Sequence, residues 1–134
     1  MRVTKNSQAR YYLCAIEKSR EGEKEPELIL NEDAKQMNLE HILPQNPANG
    51  EWADFSADEA TAYAYRLGNM TLLQRSANQK LGNGQWPQKR EVLNQSALKL
   101  NADVAQIDAW TKLVIEMRQN TLADEAITVW PNLS

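Results

Sequence analysis

Apolar residues fall at helical spacing in several stretches of the chain and alternate in two short ones. Ala9, Tyr12, Leu13 and Ile16 obey the i, i+3, i+4, i+7 rule, which predicts a first helix over about residues 7–20. The charged run 21–26 interrupts it. Residues 37–43, Met-Asn-Leu-Glu-His-Ile-Leu, alternate weakly and stop at Pro44, the pattern of a short strand closed by proline. Residues 46–50, with Pro47, Asn49 and Gly50, read as a loop. Ser56 and Glu59 have capping-box spacing for a helix over 57–66. A second short strand is expected over 69–73, entered through Gly68, and a short helix over 76–81, stopped by Gly82-Asn83-Gly84. Pro87 suits the first turn of a helix running to about Ala97. Ile107, Trp110, Val114 and Met117 predict a long amphipathic helix continuing through Leu122 to Ala126. Trp110 and Trp130 read most simply as core or docking residues. Helix dominates, with one small hairpin near the middle and no internal repeat. The expected class is α+β, mainly helical.

Composition narrows the picture only a little. The 134 residues suit one domain, and 42% apolar with 25% charged residues excludes collagen-like, low-complexity and wholly disordered chains. No signal-type segment and no long apolar run is present, so a cytoplasmic protein with no membrane association is expected. Cys14, the single cysteine, lies among Tyr12, Leu13, Ala15 and Ile16 and is expected to act as a small buried hydrophobe. The net charge of −3 argues against indiscriminate coating of nucleic acid. Charge is nevertheless uneven. Residues 1–59 hold seven basic and twelve acidic side chains, and residues 91–134 hold three and six. Between them, residues 60–90 carry Arg66, Arg75, Lys80, Lys89 and Arg90 without one carboxylate. Such a stretch tolerates a polyanion, although ordinary helix solvation also produces it.

Chemistry falls in or near the same place. His41 is the only histidine, preceded by Glu40 and followed by Pro44 and Gln45. Two asparagines follow, in Gly68-Asn69 and in Ser76-Ala77-Asn78-Gln79-Lys80. The blocks Leu-Glu-His-Ile-Leu-Pro-Gln, Leu-Gly-Asn-Met-Thr-Leu-Leu and Asn-Gln-Lys-Leu-Gly-Asn resemble the HNH, or His-Me finger, nuclease motif. More narrowly, they resemble the C-terminal nuclease domain of GmrSD-type modification-dependent restriction endonucleases. The strongest match covers residues 39–90, and Trp86, Lys89 and the 110–118 pattern extend it over most of the chain.

The resemblance implies a ββα-metal hairpin-and-helix motif, about residues 37–83, embedded in one helical domain spanning 1–134. It implies a metal-dependent DNA endonuclease. Phosphodiester hydrolysis needs a deprotonated water and relief of charge on the phosphate and the leaving oxygen. A neutral imidazole can take the proton, so His41 is the candidate general base. Mg2+ or Mn2+ would suit Glu40, a carboxylate, and Asn78, a neutral carbonyl, as metal ligands. Other branches more often carry Asp or His where this chain has Glu40. By the resemblance Asn69 ties hairpin to loop and holds His41 in orientation. Arg75, Lys80, Lys89 and Arg90 become candidate contacts to the DNA backbone, without sequence information. Adjacent strand residues point to opposite faces, so Glu40 and His41 can share a site only if the strand twists or ends there.

The family also implies an N-terminal NTP-dependent sensor of modified DNA, and no Gly-rich phosphate loop occurs in this chain. A C-terminal part of a larger protein acting on phage DNA is therefore expected, with one site per chain suggesting a homodimer or repeated nicking. The competing reading is a non-catalytic DNA- or protein-binding module on the same fold. A helical interaction domain with an accidental motif would instead scatter Glu40, His41 and Asn78. RNase or phosphatase chemistry would leave the motif unchanged.

Overall fold

Each helix forms where the chain can bury one stripe of small and branched apolar side chains. The computed structural model describes residues 6–22, 37–47, 52–74 and 84–129. In chain order these form α1 (Asn6–Arg20), β1 (Met37–His41), α2 (Ala57–Ala64), a 3-10 turn (Leu67–Asn69), β2 (Met70–Gln74), α3 (Trp86–Asn94), α4 (Lys99–Val104) and α5 (Lys112–Val129). The protein is mainly helical with a small two-stranded antiparallel sheet, as the α+β reading expects. The register runs from Met37 opposite Gln74 to His41 opposite Met70.

The hairpin carries core on both faces. Leu72 enters a cluster with Leu13, Ile16, Leu67, Met70, Leu100 and Leu122. Its neighbour Leu73 enters a second cluster with Ile42, Leu43, Trp86, Trp110 and Ile115. Strand alternation dictates this division. A two-stranded ribbon alone is marginal in water, so helices on both sides hold the site's strands in place.

The predicted α1 face holds, with Ala9, Leu13 and Ile16 fully buried. Gly22, at φ 99°, ends the helix in the left-handed conformation that glycine adopts freely. Cys14 packs half-buried against the same cluster. Far along the chain, the Glu17 carboxylate accepts from the Lys99 and Leu100 backbone N–H groups (3.0 and 2.8 Å) and so caps α4. At α2 the capping box forms in both directions, Glu59 N to Ser56 Oγ at 3.1 Å and Ser56 N to Glu59 Oε1 at 3.0 Å.

Several boundaries differ from expectation. Helix α2 stops at Ala64 and α3 at Asn94, both short of the expected ends. The last helix begins only at Lys112, so Ile107 and Trp110 belong to the connection before it. Trp110 is buried by the path of that connection, and counting helical phase from it selects the wrong stripe. The buried stripe is Ile115, Gln119, Leu122, Ala126 and Val129, whereas Met117 is 61% exposed. Helix α4 was not anticipated, because six residues are too few for a periodicity to register. The expected helix over 76–81, and with it the complete ββα motif, lies outside the described residues, as does Trp130. Among the described residues no helix is long and apolar enough to cross a membrane.

Candidate active site

The strand β1 ends at His41, and the chain bends at Ile42 and Leu43 before Pro44. A cleft of about 270 Å³ opens at this bend, lined by Leu39, Glu40, His41, Gln45, Asn46 and Lys89, with Pro44 at its edge. The two adjacent residues Glu40 and His41 thus share one polar cleft, because the strand stops where they stand. Glu40 is only 7% exposed. Its Oε1 lies 3.4 Å from the Lys89 ammonium, and its Oε2 is buried without a hydrogen-bond partner. A buried carboxylate oxygen left unengaged is costly unless something occupies it.

The His41 ring is half-buried, edge-on to Tyr65 with centroids 5.9 Å apart. Gln45 Nε2 lies 3.4 Å from His41 Nε2, and the Tyr65 hydroxyl donates to Gln45 Oε1 at 3.2 Å. An amide nitrogen can only donate, so this contact suits a neutral ring with its lone pair at Nε2. Burial, and after it the positive charge of Lys89, pushes the imidazole below its ordinary pKa. Burial also pushes the Glu40 carboxyl up, against the pull of Lys89. It pushes the Lys89 ammonium down, against the pull of Glu40.

Asn69 is fully buried, and its side chain makes four hydrogen bonds. Its Oδ1 accepts from Leu43 N (2.8 Å) and from Trp110 Nε1 (2.9 Å). Its Nδ2 donates to Leu43 O (3.0 Å) and to Ala64 O (3.2 Å). Its backbone carbonyl accepts from Ile42 N at 2.9 Å. Indole and backbone N–H groups can only donate and carbonyls only accept, so the amide has a single allowed orientation. Asn69 knots the end of α2, the start of β2 and the bend after His41. It does not touch the imidazole itself.

Lys89, expected at the DNA backbone, is instead 1% exposed, with its ammonium on Glu40, His41 O and Ile42 O. A side chain so enclosed is not placed to meet a phosphate. Its burial follows from its position in the first turn of α3, on the inward face shared with Trp86 and Leu93. Arg90 is half-buried, donating through Nε to Ala105 O at 2.8 Å and pairing with exposed Asp108 at 3.4 Å. Asn78, Arg75 and Lys80 lie outside the described residues. Sequence reasoning did not single out Tyr65, or Trp110 as a partner of Asn69. It quoted Gln45 within the motif without giving it a role. Only the Gln45 position, four residues after the histidine, carried any local signal.

A cation would meet one carboxylate at this cleft. Among the described residues no three His, Cys, Asp or Glu side chains cluster as a metal cage. Mg2+ keeps most of its waters and needs only one or two carboxylates, so the unengaged Glu40 Oε2 fits such an ion. A second cleft of about 260 Å³, lined by Leu100, Val104, Val114, Met117 and Arg118 with Arg20 and exposed Asp103, is mostly apolar and has neither histidine nor a buried carboxylate oxygen left without a partner.

No match is found among curated proteins or among solved structures. Residues 2–125 match the family described as GmrSD restriction endonucleases, C-terminal domain. That span includes the hairpin, the cleft and the helices that hold them up to the last turn of α5, and the chain belongs to this family of restriction-endonuclease domains.

Proposed function

We propose that the protein is a divalent-metal-dependent DNA endonuclease domain in which His41 is the general base. The observation that carries this reading is the convergence of His41 and an unengaged buried oxygen of Glu40 on one polar cleft. His41 takes a proton from the attacking water on Nε2, the Gln45 amide N–H giving up that lone pair, as a new P–O bond forms and the bond to the leaving oxygen breaks. Burial and the nearby ammonium keep the ring neutral, and therefore able to accept, at neutral pH. Gln45 and Tyr65 fix the ring, and Asn69 holds the bend from which it projects. Glu40 and Asn78 would hold Mg2+ or Mn2+, which would supply charge neutralisation at the phosphate and leaving oxygen. Arg75, Lys80 and the outer edge of Arg90 are assigned to the DNA backbone.

In this reading the domain acts cytoplasmically on modified foreign DNA, such as that of phage. It works beside an NTP-dependent sensor module, and paired copies would cut both strands. A second reading, a non-catalytic binding module, draws on the Lys89 ammonium, which already balances Glu40 without any metal. Calorimetric titration with Mn2+ separates the two. The nuclease reading expects one saturable site that disappears in Glu40→Gln. Absence of binding to the wild-type chain would favour the binding module.

A further inference from the structure

We infer that Lys89 is a positioning residue of this site, the clamp that turns the end of β1 so that Glu40 and His41 face one cleft. The inference rests on the hydrolytic reading of that cleft. In a regular strand consecutive carbonyls point to opposite edges. Here the carbonyls of His41 and Ile42 both meet the same ammonium, at 3.0 and 2.8 Å. The third acceptor is Glu40 Oε1 at 3.4 Å, which matches the three donors of an ammonium group. One side chain from α3 thus grips three successive residues, and the strand leaves its regular path inside that grip.

The surroundings are built for the grip. Lys89 is the largest of the fully buried side chains among the described residues, an unusual place for lysine. The Trp52 ring lies 5.9 Å from its ammonium, and Trp52 is the one non-glycine among the described residues with positive φ, at 56°. Backbone strain at a bulky residue persists where the surroundings over-determine it. An apolar residue at position 89 would fill the volume but could not hold the two carbonyls. Lys89 also occupies Oε1 of Glu40 and leaves Oε2 as the oxygen free to meet a cation.

The test uses the single histidine, whose imidazole signals are unambiguous by NMR. Wild type, Lys89→Met and Glu40→Gln are compared without metal and then with Mn2+. In Lys89→Met the His41–Tyr65 ring contact should vanish and the carbonyl shifts of residues 41 and 42 should move, while signals from Leu13 and Leu122 stay in place. Glu40→Gln should keep the ring contact, because both carbonyls remain on Lys89, yet lose the Mn2+ broadening of His41. If Lys89→Met does not fold, the double variant Lys89→Met with Glu40→Met removes both buried charges together and carries the same readout. A folded variant lacking Lys89 that retains the ring contact and the carbonyl shifts overturns the inference. Absence of Mn2+ broadening in the wild type, with the metal-free contact still dependent on Lys89, sinks the metal reading and leaves the positioning role standing.

Discussion

Asn69 spends its full amide capacity on four partners, none of them interchangeable. Asn69→Asp would replace the Nδ2 donor by an oxygen facing the carbonyls of Leu43 and Ala64, and would bury a charge without a counter-charge. We expect a loss of about 3–5 kcal/mol in urea unfolding. Trp110→Phe removes a single donor from the same knot and should cost only about 1–2 kcal/mol. Side-chain chemistry was the most legible layer of the sequence. The motif singled out Glu40 and His41, which line one cleft, and the resemblance implied the tie between hairpin and loop that the hydrogen bonds of Asn69 make. It could not reveal Trp110 as a partner, because the residues lie 41 positions apart and meet only through the packing of the connection before α5. The same limit misplaced Lys89. A lysine in an acid-free stretch reads as a surface cation, and only the tertiary placement of α3 turns its ammonium inward onto Glu40.

Helix α5 is the element that sets the site's foundation. A Cβ on Gly68 would meet Ile115 O at 2.3 Å and Gln119 N at 2.8 Å, both backbone atoms of α5. Around that approach Gln119 Oε1 accepts from Gly68 N at 2.6 Å, and Arg118 donates to Gly68 O and Met70 O at 3.0 and 2.6 Å. Gly68→Ala should therefore push the 3-10 turn off the helix and cost about 3 kcal/mol, read as a lower unfolding midpoint. Met117→Gln, on the exposed face, should leave stability within about 0.5 kcal/mol of wild type. A second link joins α5 to α2, where Lys112 pairs with Glu59. Its hydrogen bond with Lys112, then that with the Ser56 backbone, holds Glu59 down at about 2, against 4.5 in the unfolded chain. A depressed carboxylate stabilises fully above the unfolded value and loses that contribution as pH falls toward the folded one. The stability difference between wild type and Glu59→Gln should thus be constant above pH 5 and vanish near about pH 2. At this scale the sequence revealed the capping box, which is local, and missed the phase of α5, which depends on what the preceding connection buries.

Across the whole molecule, function and stability pull apart at the end of β1. Burial opposes the charge on both Glu40 and Lys89, so their mutual attraction only offsets a desolvation cost. Replacing both by Met should leave the unfolding midpoint equal to or above that of wild type, while abolishing the site. Under the proposed function the pair keeps a carboxylate oxygen ready in the cleft, which a merely filled core would not do. The two-sided core explains how so small a hairpin can carry it, since α1, α4 and α5 press one face while Trp86, Trp110 and Ile115 fill the other. The overall class and the place of the hairpin were legible because they follow from apolar patterning. The shape of the cleft was not, because it depends on where one strand stops. The most direct test of the account is cleavage of supercoiled plasmid by the purified chain, wild type against His41→Ala, in Mg2+, in Mn2+ and in EDTA. Nicking should require metal and fall at least about 100-fold in the variant. Cutting that survives EDTA or the loss of His41, or no cutting under any condition, would contradict it.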